Sequence, residues 1–363
     1  MVRVGIVGTN FGRLVHLPAF RADARCDVVA LAGTDATRTA TLANEAGVAK
    51  GYGGWEALVD DPDVEAVAIA TLPALQPQIA IRALERGKPV FIDKPMAANV
   101  AQARAMLTQA RRSKKPTMID FEFLEVPAWK RAKEIVASGA LGALRHVAVN
   151  WQVENRAVML RMRNWKTASN DGGGVLGSFI SHSFHYLEWL CGPIDALSTR
   201  MSGIPAEGGA KERDKERDKE RDMETDAAIA LQFANGANGT LAMSCASFLG
   251  SGHAVELYGE DGTLILHNPT RDYMRGFTLK HARRPAEALV EIPTSDPSDV
   301  HGDGRIAPVA RLVSRFVDAI ESGAGEGTAF DEGYRVQTLI DAARRAHNTG
   351  AWVDTRAQTL DAA

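Results

Sequence analysis

The chain has little cysteine, few aromatic residues and almost no net charge. Its three cysteines contain no CxxC pair, which argues against a disulfide framework or a thiolate zinc site. The 42 Lys and Arg residues nearly balance the 45 Asp and Glu residues, so the basic excess of a sequence-independent nucleic-acid binder is missing. No apolar run approaches the roughly 18 residues of a membrane span, and glycines interrupt the start where a secretory signal needs an unbroken apolar region. We therefore expect a cytoplasmic protein with neither nucleic acid nor membrane as a partner.

The length of 363 residues predicts two domains. From residue 1 to about 120, short apolar runs alternate with helical patterns. This alternation predicts a parallel sheet with right-handed crossovers. The predicted strands of the first domain, residues 1–120, are Val2–Val7, Asp27–Ala32, Val64–Thr71, Pro89–Ile92 and Pro116–Asp120.

Residues 121–363 follow a different pattern, in which apolar alternations are joined by turns such as Asn235-Gly236 and Asp261-Gly262. Turn-joined strands predict an open, mainly antiparallel sheet, and late helical patterns complete this second domain. The overall fold class is α/β. The segment KERDKERDKERD at 211–222 places like charges at i,i+4, which disfavours an isolated helix. We interpret it as a charged, mobile loop between two strands.

The first predicted strand leads into a glycine-bearing turn, which reads Gly8, Thr9, Asn10, Phe11, Gly12, Arg13. A dinucleotide-binding turn needs glycine so that backbone N–H groups at a helix N-terminus can approach a pyrophosphate. Gly8 fits the first position of GxGxxG, whereas Asn10 and Arg13 replace the second and third glycines. Asn tolerates left-handed backbone angles better than most residues, so Asn10 is a plausible substitute.

The end of the second strand indicates which cofactor is preferred. No acidic residue stands directly there; the chain continues Gly33-Thr34-Asp35, with Arg38 one helical turn further on. A guanidinium matches phosphate oxygens bidentately, so Thr34 and Arg38 favour the 2′-phosphate of NADP. Asp35 is close enough to turn towards a ribose instead, which keeps NAD possible.

Two segments carry a family resemblance: VFIDKPMA at 90–97 and GGGVLGSFISHSFHYLEWLCGP at 172–193. Together with the opening turn and residues 71–90, they resemble the Gfo/Idh/MocA family of dehydrogenases. The resemblance implies an N-terminal Rossmann domain and a C-terminal α/β domain whose open sheet often forms the interface of a homodimer or homotetramer. It also implies NAD(P) as cofactor and hydride transfer at a carbon of a sugar or polyol.

The resemblance also assigns roles to individual residues. Lys94 matches the lysine of the family's EKP motif, with Asp93 in place of Glu, and Pro95 matches the proline that shapes the nicotinamide pocket. His182 matches the histidine beside the reacting carbon. The remaining cofactor contacts implied by the resemblance lie in the third βα turn, at Thr71, Leu72, Pro73 and Gln76; Gln76 replaces a frequent His.

The chain departs from the family in the helix that carries His182. There the family motif DxGxHxxD reads SxIxHxxH, so Ser178 and His185 replace the two aspartates. His and Lys are suited to exchanging the proton of a substrate hydroxyl, and we predict Lys94, His182, Ser178 and His185 as the catalytic residues. Without the aspartate, more of the acid–base work is expected of Lys94.

Other readings of these residues stay open. Ser178, His182 and His185 share one face of a helix, but no acidic or thiolate ligand joins them there, so we predict no metal. Glu122 and Glu125 either line the substrate site or lie on the surface, and Trp165 is a candidate for stacking on a sugar.

The sequence predicts an NAD(P)-dependent oxidoreductase acting on a sugar, polyol or related hydroxy or keto compound. Two alternatives remain. One is a glycosidase or lyase that cycles a tightly bound NAD, and the other is a nucleotide-binding regulatory protein without turnover.

Overall fold

The computed structural model describes residues 1–160, 162, 165–167, 171–204, 223–323 and 329–356. These residues form two compact units. The first unit comprises Met1–Glu125 and Pro297–Gln337, and the second comprises Val126–Asp296 and Thr338–Ala363. The segment from Pro297 to Gln337 thus belongs with the N-terminal residues, although the pattern of the sequence grouped it with the C-terminal domain. The charged repeat at 211–222 lies outside the described residues.

The first unit contains a parallel sheet, as predicted, and this sheet has six strands rather than the five predicted. Its strands are β1 (Val2–Val7), β2 (Cys26–Ala32), β3 (Lys50–Tyr52), β4 (Ala66–Ile69), β5 (Val90–Ile92) and β6 (Thr117–Ile119). Their spatial order is β3-β2-β1-β4-β5-β6, which is the strand order of a dinucleotide-binding Rossmann fold. The short strand β3 and the helix after it were not predicted, because three half-buried residues carry no clear periodicity.

Helices connect these strands. They are Leu17–Arg21, Ala36–Glu45, Trp55–Asp60, Gln76–Glu85 and Val100–Ser113. Asp35 and Asn99 start two of them as N-caps, each accepting a hydrogen bond from a backbone N–H three residues on. The first of these helices, Leu17–Arg21, is preceded by a π-helical turn, Gly12–His16.

A late helix, Ile306–Ser322, completes the first unit. Its buried apolar residues join the core formed by β1, β2 and the first helix. The Phe316 ring lies 5.8 Å from that of Phe91 and 6.5 Å from that of Phe20, both edge to face. At its far end, Asp318 accepts a hydrogen bond from Arg25 at 2.7 Å. Burial of this apolar face ties the distant segment to the Rossmann sheet.

The second unit contains a nine-stranded sheet. Its strands are β7 (Leu144–Gln152), β8 (Ile194–Ile204), β9 (Met223–Phe233), β10 (Asn238–Ser244), β11 (Gly252–Gly259), β12 (Gly262–Asn268), β13 (Thr278–Arg283), β14 (Val290–Ile292) and β15 (Val353–Asp354). The order is β14-β13-β12-β11-β7-β10-β9-β8-β15. Neighbouring strands are antiparallel except β7 and β10, which pair in parallel. The prediction of a mainly antiparallel sheet is confirmed.

The helices of the second unit are Pro127–Ala137, Arg156–Met159 and Ser181–Cys191, and the helix Ala329–Thr349 begins in the first unit and ends in the second. Tyr186, on the helix Ser181–Cys191, lies among the largest buried side chains of this unit, 4.5 Å from the Trp129 ring. Within the described part of the chain, no helix is long and apolar enough to cross a membrane.

Candidate active site

The candidate site of the first unit lies at the carboxyl edge of its sheet. Gly8 follows β1, Thr71 lies just beyond β4, and Lys94 and Asp120 follow β5 and β6 closely. These four strands are neighbours in the sheet. The connections reverse direction between β1 and β4, and parallel α/β sheets bind ligands at such a switch point.

The turn after β1 is built for a close backbone approach. Gly8 has φ +129°, and a Cβ there would lie 2.2 Å from the carbonyl oxygen of Ala70. The Gly8 N–H donates to the Ala32 carbonyl oxygen at 2.9 Å. A Cβ on Gly12 would lie 2.9 Å from Ile6 Cγ2. The turn therefore excludes side chains at both positions, as a cradle for a pyrophosphate requires.

The residues of the turn other than glycine do not adopt the left-handed backbone conformation that was expected of Asn10. Among the described residues other than glycine, only Lys114 and Leu249 have positive φ. Asn10 therefore does not use a left-handed conformation, and that rationale for it was wrong. Arg13 Nε donates to the Thr9 carbonyl oxygen at 3.3 Å. The Arg305 guanidinium lies 5.1 Å from the centre of the Phe11 ring, which holds Phe11 by a cation–π contact.

The residues after β2 lie close to this turn. A Cβ on Gly33 would lie 2.8 Å from Thr9 Cγ2. Asp35 Oδ1 accepts a hydrogen bond from the Arg38 N–H at 2.7 Å, so this carboxylate caps its helix. The side chains of Thr34 and Arg38 are exposed. A charged guanidinium and a hydroxyl thus remain available beside the capped helix.

The Lys94 loop is held by Gln76. The buried Gln76 Nε2 donates to the carbonyl oxygens of Asp93, at 3.0 Å, and Pro95, at 2.8 Å. The Asp93 N–H donates to the Ile69 carbonyl oxygen at 2.8 Å, which fixes the loop to the end of β4. Gln76, predicted as a cofactor contact, therefore also fixes the backbone on both sides of Lys94, and its role towards the cofactor stays a prediction.

The start of the helix Gln76–Glu85 contains the other three predicted cofactor contacts. Thr71 is half-buried, Leu72 is exposed and Pro73 is buried. The Leu72 carbonyl oxygen accepts from the Gln76 N–H at 3.1 Å. This turn therefore presents Thr71 and Leu72 at the carboxyl end of β4, next to the glycine turn that follows β1.

A buried histidine–carboxyl pair lies at the same edge and was not predicted. His16 Nε2 lies 3.2 Å from Asp120 Oδ2, and both side chains are at most 1% exposed. Burial lowers the pKa of His16 to about 4, opposed by the charge of Asp93. Burial and the charge of Asp93 raise the pKa of Asp120 well above its ordinary value. The sequence did contain one indication of this pair: Asp120 directly follows a predicted parallel strand, as Asp93 does.

The predicted catalytic residues of the second unit lie on one helical segment. Ser178, His182 and His185 are all buried. A π-helical turn, Leu176–Ile180, precedes the α-helix Ser181–Cys191. A π-turn is wider than an α-turn, and His182 and His185 follow it in the α-helix. Such turns occur frequently at functional sites. The catalytic roles of Ser178, His182 and His185 stay predictions.

Buried polar contacts fix this helix to its unit. The Tyr186 hydroxyl donates to Ser183 Oγ at 2.9 Å, and its oxygen lies 2.9 Å from His253 Nε2. The His253 ring stacks on Trp151 with centroids 3.9 Å apart. Burial lowers the pKa of His253 to about 3, so the ring is neutral at physiological pH. The helix is thereby held in one rotational setting.

The glycine run before this helix also has a structural cause. Gly174 has φ +70°, and a Cβ there would lie 2.3 Å from the carboxylate of Glu224. The Trp165 ring is half-buried, with Lys166 Nζ 5.8 Å from its centre; stacking on a sugar stays a prediction. Within the described residues, no group of three His, Cys, Asp or Glu side chains could hold a metal ion.

Comparison with known proteins agrees with this architecture. A family model described as "Oxidoreductase family, NAD-binding Rossmann fold" matches residues 2–121, and the "GFO/IDH/MocA C-terminal domain" model matches residues 129–265. The fold and its sequence therefore define an oxidoreductase with an NAD(P)-binding Rossmann domain.

Individual relatives extend over nearly the whole chain. An uncharacterized oxidoreductase of Synechocystis is 34% identical over 96% of this chain and 95% of its own length. Levoglucosan dehydrogenase of Pseudarthrobacter phenanthrenivorans is 26% identical over 97% of this chain and 98% of its own length. A solved levoglucosan dehydrogenase in complex with NADH and levoglucosan aligns with TM-score 0.85 at 21% identity, covering 98% of this chain and 100% of that one. The protein belongs to the Gfo/Idh/MocA family of oxidoreductases.

Proposed function

We propose that the protein transfers hydride between NADP(H) and a CH–OH carbon of a sugar, polyol or related hydroxy or keto compound. The observation that carries the proposal is the convergence of the Gly8 turn and Lys94 at one edge of one parallel sheet. The similarity to levoglucosan dehydrogenase over nearly the full length supports a sugar-like substrate.

The residues present fit a dinucleotide. Gly8 and Gly33 leave open backbone where a Cβ would meet other atoms, and the helical turn from Gly12 directs N–H groups towards a pyrophosphate. When bound, the nicotinamide supplies the acceptor or donor of the hydride. Lys94 Nζ exchanges the proton of the substrate oxygen. His182 stays a predicted catalytic residue of the second unit. The buried Gln76 keeps the Lys94 backbone in place.

The function is tested by turnover with free cofactor. We expect the purified protein to reduce NADP⁺ with at least one member of a panel of aldoses, ketoses, inositols and levoglucosan. The measurement is the absorbance of NADPH under steady-state conditions. Chemical conversion of a glycoside without net NADPH formation would favour the cycling glycosidase or lyase, and tight NADPH binding without any turnover would favour a regulatory protein.

The preference for NADP rests on Arg38. Because Asp35 Oδ1 caps its own helix, the exposed Arg38 guanidinium is the group that would pair with a 2′-phosphate. We expect Arg38→Ala to weaken NADPH binding about tenfold, or 1.4 kcal/mol, and to leave NADH binding unchanged. Fluorescence titration measures both affinities. Arg112→Ala, at an exposed helix position, is the matched control, and equal weakening of NADPH and NADH in Arg38→Ala would refute the preference.

We also propose a homodimer or homotetramer formed through the open face of the second sheet. On three adjacent strands, the outward positions Ala148, Ala228, Ala230, Thr240 and Ala242 are small and uncharged. A flat surface of this composition can be buried without desolvating charge. A monomeric mass by light scattering at micromolar concentration would contradict this assembly.

A further inference from the structure

Two buried carboxyl groups follow β6, the strand next to the one that Lys94 follows. Asp120 and Glu122 are at most 3% exposed. The Asp120 N–H donates to the Ile92 carbonyl oxygen at 2.8 Å, which sets Asp120 beside the end of β5 where Lys94 follows. Two carboxyl groups removed from water need a compensating charge or a shared proton.

The groups of this cluster respond to one another's charge. Burial raises the pKa of Glu122 well above its ordinary value, the charge of Asp120 raises it further, and Lys94 opposes the rise. Lys94 likewise lowers the pKa of Asp120, as does Arg305, while Asp93 raises it. The ammonium group therefore acts on both carboxyls, and Asp120 makes Glu122 a better proton acceptor.

The surrounding contacts fix these carboxyls in place. His16 Nε2 lies 3.2 Å from Asp120 Oδ2, and the His16 ring packs edge to face against the Phe91 ring. The turn Glu122–Glu125 is anchored by Arg315, whose Nη1 donates to Glu125 Oε1 at 2.9 Å. Arg305, the remaining cation that faces Asp120, also donates to Asp303 Oδ1 at 2.9 Å.

Asp120 and Glu122 belong to the same unit as Lys94. The two carboxyls can therefore act on this amine without any group of the second unit.

We propose that Asp120 and Glu122 are positioning residues of Lys94, and that Glu122 receives the proton that passes through Lys94 Nζ. This inference rests on the proposed function. In the oxidation direction, the Lys94 ammonium group releases one proton to a carboxylate oxygen of Glu122. The substrate O–H bond then breaks as a new N–H bond forms at Nζ, and the hydride of the same carbon would go to the bound nicotinamide. The reduction direction reverses each transfer.

Isosteric variants test this assignment. Asp120→Asn and Glu122→Gln each remove one carboxylate and keep the shape of the side chain. We expect each to shift the NMR signal of the Lys94 amine relative to wild type, because each removes a carboxyl group that interacts with Lys94. This is measured by NMR on protein with ¹³C-methylated lysines, with Lys94→Arg to assign the signal. NADPH binding is expected to stay within about threefold of wild type, in keeping with a role in proton transfer.

The pH dependence of kcat/KM separates the two carboxyls. A carboxyl with a raised pKa loses its acceptor role when pH falls through that pKa, so the wild-type rate of oxidation declines on the acidic side. Glu122→Gln is expected to remove this acidic limb and lower kcat at least about tenfold. Asp120→Asn is expected to move the limb to lower pH, because the charge that raises the pKa of Glu122 is gone. Glu122→Asp should restore the limb in part.

Glu125→Gln is the matched control. Glu125 lies in the same buried turn but is paired with Arg315, so its loss is expected to lower stability without moving the Lys94 signal or the acidic limb. An unchanged Lys94 signal in both variants would overturn the inference even if wild type turns over its substrate. If no substrate turns over, the function fails separately, and the Lys94 signal still decides whether the carboxyls act on this amine.

Discussion

Lys94→Met is expected to lower kcat about a thousandfold, the range in which a general acid–base group acts. The lysine follows β5 in a loop fixed by Gln76, so removal of its amine leaves the backbone of the site in place. We therefore expect NADPH affinity within about threefold of wild type. Steady-state kinetics over pH, together with fluorescence titration, measure both effects, and the residual activity should have lost its acidic limb.

Two variants serve as comparisons for Lys94→Met. Lys115→Met removes an exposed lysine of the same unit and is expected to leave kcat unchanged. His182→Ala is expected to be less severe, because Ser178 has replaced the residue that would orient its ring. A larger loss in His182→Ala than in Lys94→Met would contradict the assignment of the principal proton transfer to Lys94.

Gly8→Ala is expected to weaken NADPH binding at least about a hundredfold, or roughly 2.7 kcal/mol. The residue has φ +129°, and the added Cβ would lie 2.2 Å from the Ala70 carbonyl oxygen. Relief of this clash must move β1 or the segment after β4, and with it the turn that approaches the pyrophosphate. Fluorescence titration measures the affinity, and circular dichroism shows whether the variant folds.

Gly87→Ala separates this clash from backbone strain. Gly87 also has positive φ, +73°, but an added Cβ would meet only Lys115 Cε, at 3.7 Å. It is expected to lose about 1 kcal/mol of stability and to bind NADPH as wild type does. If Gly8→Ala does not fold, Gly33→Ala, whose Cβ would meet side-chain atoms of Thr39 and Thr9, provides a milder disturbance. Wild-type affinity in a folded Gly8→Ala would refute the assignment of this turn.

The candidate site was predictable in part. Gly8 and Gly12 could be recognised because a tight turn between a buried strand and a helix requires glycine. Lys94 and His182 could be recognised because they match motifs of a known family. The contact between His16 and Asp120 could not be predicted, because these residues are 104 positions apart and only the order of the strands brings them together. The π-turn before His182 was also hidden, because periodicity assumes an α-helix throughout.

The sequence by itself determined the order of the strands and helices, apart from the short β3 and the helix after it. A strand that is buried on both faces of a parallel sheet has a continuous run of apolar residues, and a strand that is buried on one face of an antiparallel sheet alternates apolar and polar residues. Each pattern therefore indicates how a strand is buried without any information from distant segments. The N-caps Asp35 and Asn99, which the structure shows, act over only three residues, so their effect is equally local.

Only the tertiary structure decided which distant segments pack together. Residues 297–337 join the Rossmann sheet because the apolar face of the helix Ile306–Ser322 is buried against Phe20 and Phe91. The sequence of this helix shows that it has an apolar face, but not which surface of the protein buries that face. The parallel pairing of β7 with β10 and the buried carboxyls beside Lys94 have the same origin. They depend on long-range packing, which leaves no periodic signal in the chain.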